Sequence, residues 1–206
     1  PNGPEPVNPP KIYGSNLPQL LNLLNRPEYR YLYWATTEIR EMEPIKVKRA
    51  LDQWIKNLDP KDPRHRHHQV EAMWTYRNVE QSNIHLLSEL LQCENHNARA
   101  AAARQLRHWH SLSKEGDDLL TKAALDQSGL VRLEAAIACS YIGTENAFET
   151  LKIICNQPND KHLSYAIKTS FGSAPMRKFW DPRDSKFKEH IVYNFLSAQK
   201  KQEVKM

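Results

Sequence analysis

Three histidines and a glutamate in the stretch RHRHHQVEAMW are the residues best suited to chemistry in this sequence. His65, His67 and His68 lie within four residues, and Glu71 follows in a helical pattern. Because His68 and Glu71 are three positions apart, their side chains can meet on one helical face and bind a metal such as zinc. A structural site needs four ligands, so the loop would have to fold back. The alternative is that the loop histidines are solvated and His68 packs at the helix start. We assign no metal and keep these four residues as candidates.

No other residue pattern in the sequence matches a known catalytic centre. The chain contains no GxSxG, no glycine-rich phosphate loop and no Cys–His pair that one helical face would bring together. Cys93, Cys139 and Cys155 form neither CxxC nor CxxCH, and Cys139 lies in an apolar helical stretch where a buried thiol is expected. We therefore predict no catalytic residue, no enzymatic activity and no cofactor for this chain.

Basic and aromatic side chains form a second kind of candidate site. The formal net charge is +5, and the basic residues are mostly dispersed. We expect the two arginines at matching positions, Arg99 and Arg132, to pair with acidic residues of the next structural unit, and Trp109 to pack in the core or, alternatively, to anchor a partner. A continuous row of cations would instead indicate nucleic-acid binding. The candidates for an interaction surface are Arg99, Arg104, Arg107, Trp109 and Arg132.

These side chains belong to a repeat. Four segments align without gaps, and they are LYWATTEIREM, QVEAMWTYRNV, RAAAARQLRHW and RLEAAIACSYI. One column of the alignment holds only alanine: Ala35, Ala72, Ala102 and Ala135. The column four residues later holds Ile39, Tyr76, Leu106 and Cys139. The column two residues before the alanine holds Tyr33, Val70, Ala100 and Leu133. A weaker fifth copy, YAIKTSFGS, places Lys168 in the alanine column. We expect the three columns to share one helical face, with the alanine allowing a neighbouring helix to approach closely.

A partner helix precedes each of these segments. The partner helices are expected at residues 17–25, 47–58, 83–93, 116–127 and 145–156, with Asn83, Asp117 and Thr144 as N-caps. No segment alternates as a strand would. The sequence therefore predicts an all-α fold, a right-handed α-solenoid of about five HEAT- or armadillo-like helix pairs. We place the repeat domain at 15–180, after a Pro-rich linker at 1–14 and before a capping helix at 181–200 and a disordered tail at 201–206.

Several blocks of the sequence resemble one group of proteins. The blocks are DPKDPRHRHHQVEAMWTYRNVE, HNARAAAARQLRHW, GLVRLEAAIACSYIG and YAIKTSFGSAPMRKFW. They resemble the HEAT-repeat region of the PVC-type haem-binding, membrane-bound dehydrogenase-like proteins of planctomycetes, verrucomicrobia and bacteroidetes. In that family the solenoid lies between a β-propeller and a c-type cytochrome domain with CxxCH. Since this chain has neither flank, the resemblance implies a scaffold segment of a periplasmic or otherwise exported electron-transfer protein, with haem c possible only in a flanking domain.

Three functions remain open at this point. The first is a non-catalytic scaffold that contacts a protein partner or flanking domains of the same polypeptide. The second is a segment that lines the approach between a propeller and a haem domain of an oxidoreductase. The third is a nucleic-acid-binding solenoid similar to HEAT-like DNA glycosylases, for which the basic row is incomplete. No run of apolar residues is long enough to predict a membrane span.

Overall fold

In the computed structural model, which describes residues 9–180, the chain consists of α-helices, one 3₁₀ turn and connecting loops, with no β-strand in that range. The helices are α1 (Leu17–Leu23), α2 (Tyr29–Arg40), α3 (Pro44–Lys56), α4 (His65–Asn78), α5 (Ile84–Leu91), α6 (His96–Trp109), α7 (Gly116–Ala124), α8 (Gly129–Ile142), α9 (Glu145–Cys155), α10 (Lys161–Gly172) and α11 (Ala174–Arg177), with the 3₁₀ turn at His110–Leu112. The predicted all-α class and the five helix pairs, from α1–α2 to α9–α10, are confirmed.

The chain divides between Asn83 and Ile84 into two compact units. In the first unit, α1 packs on α2 and α3, and α4 packs on α2 and α3. In the second, α5, α7 and α9 form one layer, and α6, α8 and α10 form the other, with α8 contacting both α6 and α10. The stacking of helix pairs predicted for a solenoid is therefore present within each unit, and its right-handed sense stays a prediction.

Parts of the predicted domain organisation lie outside the described residues. These parts are residues 1–8 of the Pro-rich linker, the capping helix at 181–200 and the tail at 201–206. Residues 9–14, which complete the linker, contain one turn at Gly14 and no helix. Within residues 9–180, no helix is both long and apolar enough to span a membrane.

The alanine column forms the inner face of the repeat. All four alanines and all four residues that follow them by four positions are fully buried. The expectation that the column two residues earlier shares this face is wrong, because Tyr33 is exposed and Leu133 is only half-buried. Two residues rotate a helix by roughly 200°, which points that column toward the opposite side. Val70 and Ala100 are buried because their helices are covered on more than one side.

The fifth repeat copy is displaced from the predicted register. Lys168, expected in the alanine column, is half-exposed, whereas Ala166 and Ser170 are buried. Ser170 donates from Oγ to the carbonyl oxygen of Ala136 at 2.9 Å, which ties α10 to α8. The small residues that allow close helix packing are therefore present, two positions away from where the sequence alignment places them.

The N-terminus of α9 confirms one predicted cap, and the N-terminus of α7 corrects another. Thr144 caps α9 as predicted, because its Oγ1 accepts from the amide of Ala147 at 3.1 Å. Asp117 is not an N-cap, since α7 begins at Gly116 and Asp117 lies inside its first turn. A side chain at position 116 would collide with the backbone carbonyl of His110, so glycine lets the 3₁₀ turn pack directly on α7. Asn83, the remaining predicted cap, contacts Asp52 and Tyr76 through its side-chain amide.

Candidate interaction surfaces

Arg99 on α6 ties its own repeat to the next one. Its guanidinium forms a two-pronged ion pair with Asp126, with Nε–Oδ2 at 2.7 Å and Nη2–Oδ1 at 3.1 Å. Its Nη1 also donates to the carbonyl oxygens of Cys93 and Glu94 at 2.9 and 3.0 Å. Both charged side chains are about nine-tenths buried. Burial acts to raise the pKa of Asp126, but the hydrogen bonds from Arg99 and the amide of Ser128, together with the charges of Arg99 and Arg132, lower the pKa overall.

Arg132 on α8 repeats the carbonyl contacts of Arg99 one helix pair later, but a backbone carbonyl takes the place of the acidic side chain that was predicted as its partner in the next repeat. Its Nη1 donates to the carbonyl oxygens of Asp126 and Gln127 at 2.7 and 3.0 Å. Its Nη2 continues to the carbonyl oxygen of Pro158 in the next loop at 2.6 Å. Arg99 and Arg132 therefore act as staples between successive loops, and both are buried. Neither side chain is available to an external partner.

Arg104 and Arg107 on α6 share one carboxylate of α8. Arg104 donates through Nε and Nη2 to Glu134 at 3.1 and 2.5 Å, and Arg107 donates through Nη2 at 2.9 Å. Glu134 is buried, while about half of the Arg104 side chain is exposed. The guanidinium of Arg107 also lies over the ring of Tyr141, 5.1 Å from its centre. Two cations and one anion leave a net positive charge beside α8.

The surface of α8 that these arginines border is apolar. Leu130, Leu133, Ile137 and Tyr141 follow one another at spacings of three and four, so they lie along one side of the helix. Leu130 and Tyr141 are exposed, and the two between them are half-buried. We call these four residues the α8 stripe. The other sides of α8 are buried against α6, α7, α9 and α10.

Charge is divided between the two layers of the second unit. Helices α6, α8 and α10 carry six arginines or lysines and one acidic residue, Glu134. Helices α5, α7 and α9 carry two lysines and five acidic residues. The layer that contains the α8 stripe is thus basic and the opposite layer acidic, which the net charge of the whole chain conceals.

Trp109 lies in the interior of the second unit. It is 3% exposed and ends α6 where the 3₁₀ turn begins. A buried indole cannot anchor an external partner, so this site candidate is a packing residue. Of the five residues expected on an interaction surface, only Arg104 exposes a large part of its side chain.

The histidine cluster of the first unit forms two separate pairs. His68 Nε2 lies 3.3 Å from Asp62 Oδ2, and His67 Nε2 lies 3.8 Å from Glu71 Oε1. The sequence paired His68 with Glu71 instead, and it gave no role to Asp62. His65 does not join either pair as a third metal ligand. Within residues 9–180, no three His, Cys, Asp or Glu side chains are arranged to hold a metal ion.

Burial controls the titration of this cluster. It raises the pKa of Glu71 to about 7 and lowers the pKa values of His67 and His68. The neighbouring charge of Arg64 lowers the pKa of all three groups. With a pKa of about 7, the Glu71 carboxyl gains or loses its proton near neutral pH while it lies largely buried on α4.

The first unit also exposes aromatic rings on α2. Tyr29 and Tyr33 lie with their ring centres 6.5 Å apart, and the guanidinium of Arg30 lies 5.7 Å from the centre of the Trp34 ring. All three aromatic side chains are substantially exposed. The repeat alignment expected Tyr33 on the buried face, so this group was missed in the sequence.

The three cysteines are buried, and none of them forms a disulfide. Burial raises the pKa of the Cys139 thiol well above its usual range and raises that of Cys155 to about 12. Because the thiolate is the reactive form, neither residue is arranged as a nucleophile. Both are core residues, in line with their positions in the repeat.

Comparison with known proteins agrees with this architecture. Residues 83–170 match the family of HEAT repeats, and this range contains α5 to α9 and most of α10. No curated protein matches the chain. HEAT repeats stack into extended surfaces that bind other proteins, and this region of the chain has the matching pattern of helix pairs. The finding supports a protein-interaction scaffold and identifies no partner.

Proposed function

We propose that this chain is a non-catalytic scaffold that binds a protein partner through the surface of α6, α8 and α10. The observation that carries the proposal is the α8 stripe. It is an apolar row on the surface of a layer in which the buried charged side chains are bonded to other groups of the same chain. The staples of Arg99 and Arg132 hold successive loops together, which suits a rigid support. The reactive side chains are buried or dispersed, and no pattern for catalysis occurs in the sequence.

The scaffold is further proposed to be a segment of an exported dehydrogenase–cytochrome c electron-transfer protein. Support comes from the blocks DPKDPRHRHHQVEAMW and HNARAAAARQLRHW, which resemble the repeat region of such proteins. The partner would then be a flanking domain of the same polypeptide, and haem c would belong to that domain. In this setting the chain would space two redox domains without holding a redox group itself.

The test is to isolate the protein from its native source and record its intact mass, its visible spectrum and its chemical cross-links. A chain longer than 24.0 kDa with a haem absorption band, cross-linked within itself between α8 and another domain, supports the electron-transfer proposal. A colourless chain of 24.0 kDa that cross-links to a separate protein supports the scaffold alone. A product with neither cross-linked domain nor cross-linked protein contradicts both.

A further inference from the structure

We propose that the α8 stripe is a docking site for an amphipathic helix whose apolar side is bordered by acidic residues. This inference rests on the proposed scaffold function and names the class of partner. The site is the outer surface of α8, with α6 along one side and α10 along the other.

The apolar row has the length and spacing of a helix-binding surface. Leu130 and Tyr141 are 11 residues apart, so the row extends over three turns of α8 and about 16 Å. Leu130 is 43% and Tyr141 64% exposed, while Leu133 and Ile137 form a half-buried floor between them. Partner helices bind such rows through apolar anchors at positions i, i+3, i+4 and i+7. Tyr and Arg at the border are the residue types that contribute most at interfaces.

The border of this row selects the charge of the partner. Neither α6 nor α10 contains an acidic residue, and the one acidic residue of α8 is buried under Arg104 and Arg107. A helix that lies on the stripe therefore meets Arg104 and Arg107 along its α6 side. Acidic flanks would be attracted, and basic flanks would be repelled. Arg107, held between Glu134 and Tyr141, fixes the position of the positive charge at one end.

The same observations favour a peptide over a nucleic acid. A phosphate backbone needs a row of cations that are free to form contacts along its length. Here Arg99 and Arg132 are buried in staples, and Arg104 and Arg107 are bound to Glu134. The centre of the surface is occupied by Leu133 and Ile137, which offer nothing to a phosphate.

The test uses the full chain and fluorescent helical peptides of roughly 18 residues, five turns of helix. One peptide has leucines on one side and glutamates on the flanks, a second has lysines in place of the glutamates, and a third has serines in place of the leucines. A duplex DNA with the same label is the fourth probe. We expect the leucine–glutamate peptide to bind most tightly, by about tenfold over the others, in low salt.

Variants locate the site. Leu130→Asp and Arg104→Glu should each weaken binding of the leucine–glutamate peptide by about tenfold. Leu125→Asp is the control, because Leu125 is 59% exposed, compared with 43% for Leu130, and lies at the end of α7, outside the α8 stripe. Circular dichroism of each variant checks that the helices are retained. Unchanged binding in Leu130→Asp, or equal loss in Leu125→Asp, overturns the proposed site.

The remaining outcomes also decide the proposal. Equal binding of the leucine–lysine peptide contradicts the charge selection, and preferential binding of the DNA replaces the peptide with a nucleic acid. Binding of no peptide contradicts the docking site but leaves the scaffold intact, provided that cross-links of the native protein reach a partner elsewhere. Absence of any cross-linked partner contradicts the scaffold itself, so the two failures are distinguishable.

Discussion

Arg99 and Arg132 make the same two carbonyl contacts at equivalent positions of successive repeats. In each case Nη1 donates to the two carbonyl oxygens that lie six and five residues earlier in the chain. In each case the other end of the guanidinium reaches the next loop, at Asp126 for Arg99 and at Pro158 for Arg132. One loop, at Asp126, therefore receives both arginines. The planar fork of arginine allows this double contact, which lysine cannot reproduce.

The first prediction is that Arg99→Met destabilises the second unit by about 3 kcal/mol, since it leaves the Asp126 carboxylate buried without its cation. Arg99 and Asp126 are both about nine-tenths buried, so solvent screens the pair little. Urea unfolding followed by circular dichroism measures the change. Arg40→Met is the matched control, because the Arg40–Glu41 pair is mostly exposed and should change stability by less than about 0.5 kcal/mol. Equal effects of the two substitutions would contradict the staple.

The second prediction concerns Gly116, at the start of α7. Helix propensity alone predicts that Gly→Ala stabilises a helix by up to about 1 kcal/mol. At this position the added methyl group collides with the carbonyl of His110, so we expect destabilisation by about 1–3 kcal/mol. Gly129→Ala at the start of α8 is the control, since its nearest neighbour, Arg132 Nη2, would lie 3.9 Å away. Thermal unfolding should separate the two variants, and a stabilised Gly116→Ala would refute the contact.

The third prediction tests the alanine column. Ala102 is fully buried and the adjacent Ala101 is half-buried. Ala102→Leu should therefore overpack the interior and cost about 1–3 kcal/mol, whereas Ala101→Leu should cost clearly less. The free energy of unfolding of both variants, measured in urea, checks the difference. If the two substitutions cost the same, the small residue is not required for helix packing.

The sequence predicts well whatever depends on local periodicity. The helices and the buried columns at Ala102 and Leu106 follow from the helical repeat of 3.6 residues, which each segment displays by itself. The error at Tyr33 was geometric, since a shift of two residues changes the side of the helix. The prediction of Asp117 as a cap was wrong because α7 begins one residue earlier, at Gly116. This start is determined by the close packing of the His110 carbonyl against Gly116, which a local sequence pattern does not reveal.

The candidate site was less predictable because its residues are defined by their neighbours. Arg99 and Arg132 were expected to pair with acidic residues of the next repeat, which is correct for Arg99 but not for Arg132. The sequence did not indicate that Asp126 and Glu134 were the partners of Arg99 and Arg104. Their separations from the arginines, 27 and 30 residues, are close to one repeat and are the signal that was available. The α8 stripe could not be found, because α8 is apolar on nearly all sides and only packing shows which side remains on the surface.

The fourth prediction is that Glu71 reduces the stability of the first unit as the pH rises from about 4.5 to about 7. Burial raises the pKa of Glu71 to about 7 in the folded chain, above its ordinary value of 4.5. Between these two values the folded state holds a proton that the unfolded state has released, so the free energy of unfolding falls with increasing pH. The loss is complete above pH 7 and amounts to about 2 kcal/mol, reduced from the full shift because part of the group contacts solvent.

Glu71→Gln isolates this effect, because the amide resembles the protonated carboxyl and does not titrate. We expect the variant and the original protein to have similar stability at pH 4.5, and the variant to be more stable at pH 8. Comparison of the two at each pH cancels the contribution of His68, whose pKa is lowered by burial and whose protonation below pH 6.5 acts in the opposite direction. Urea unfolding at a series of pH values gives the difference. A difference that does not change with pH would mean that the Glu71 carboxylate is fully solvated and that α4 opens around it.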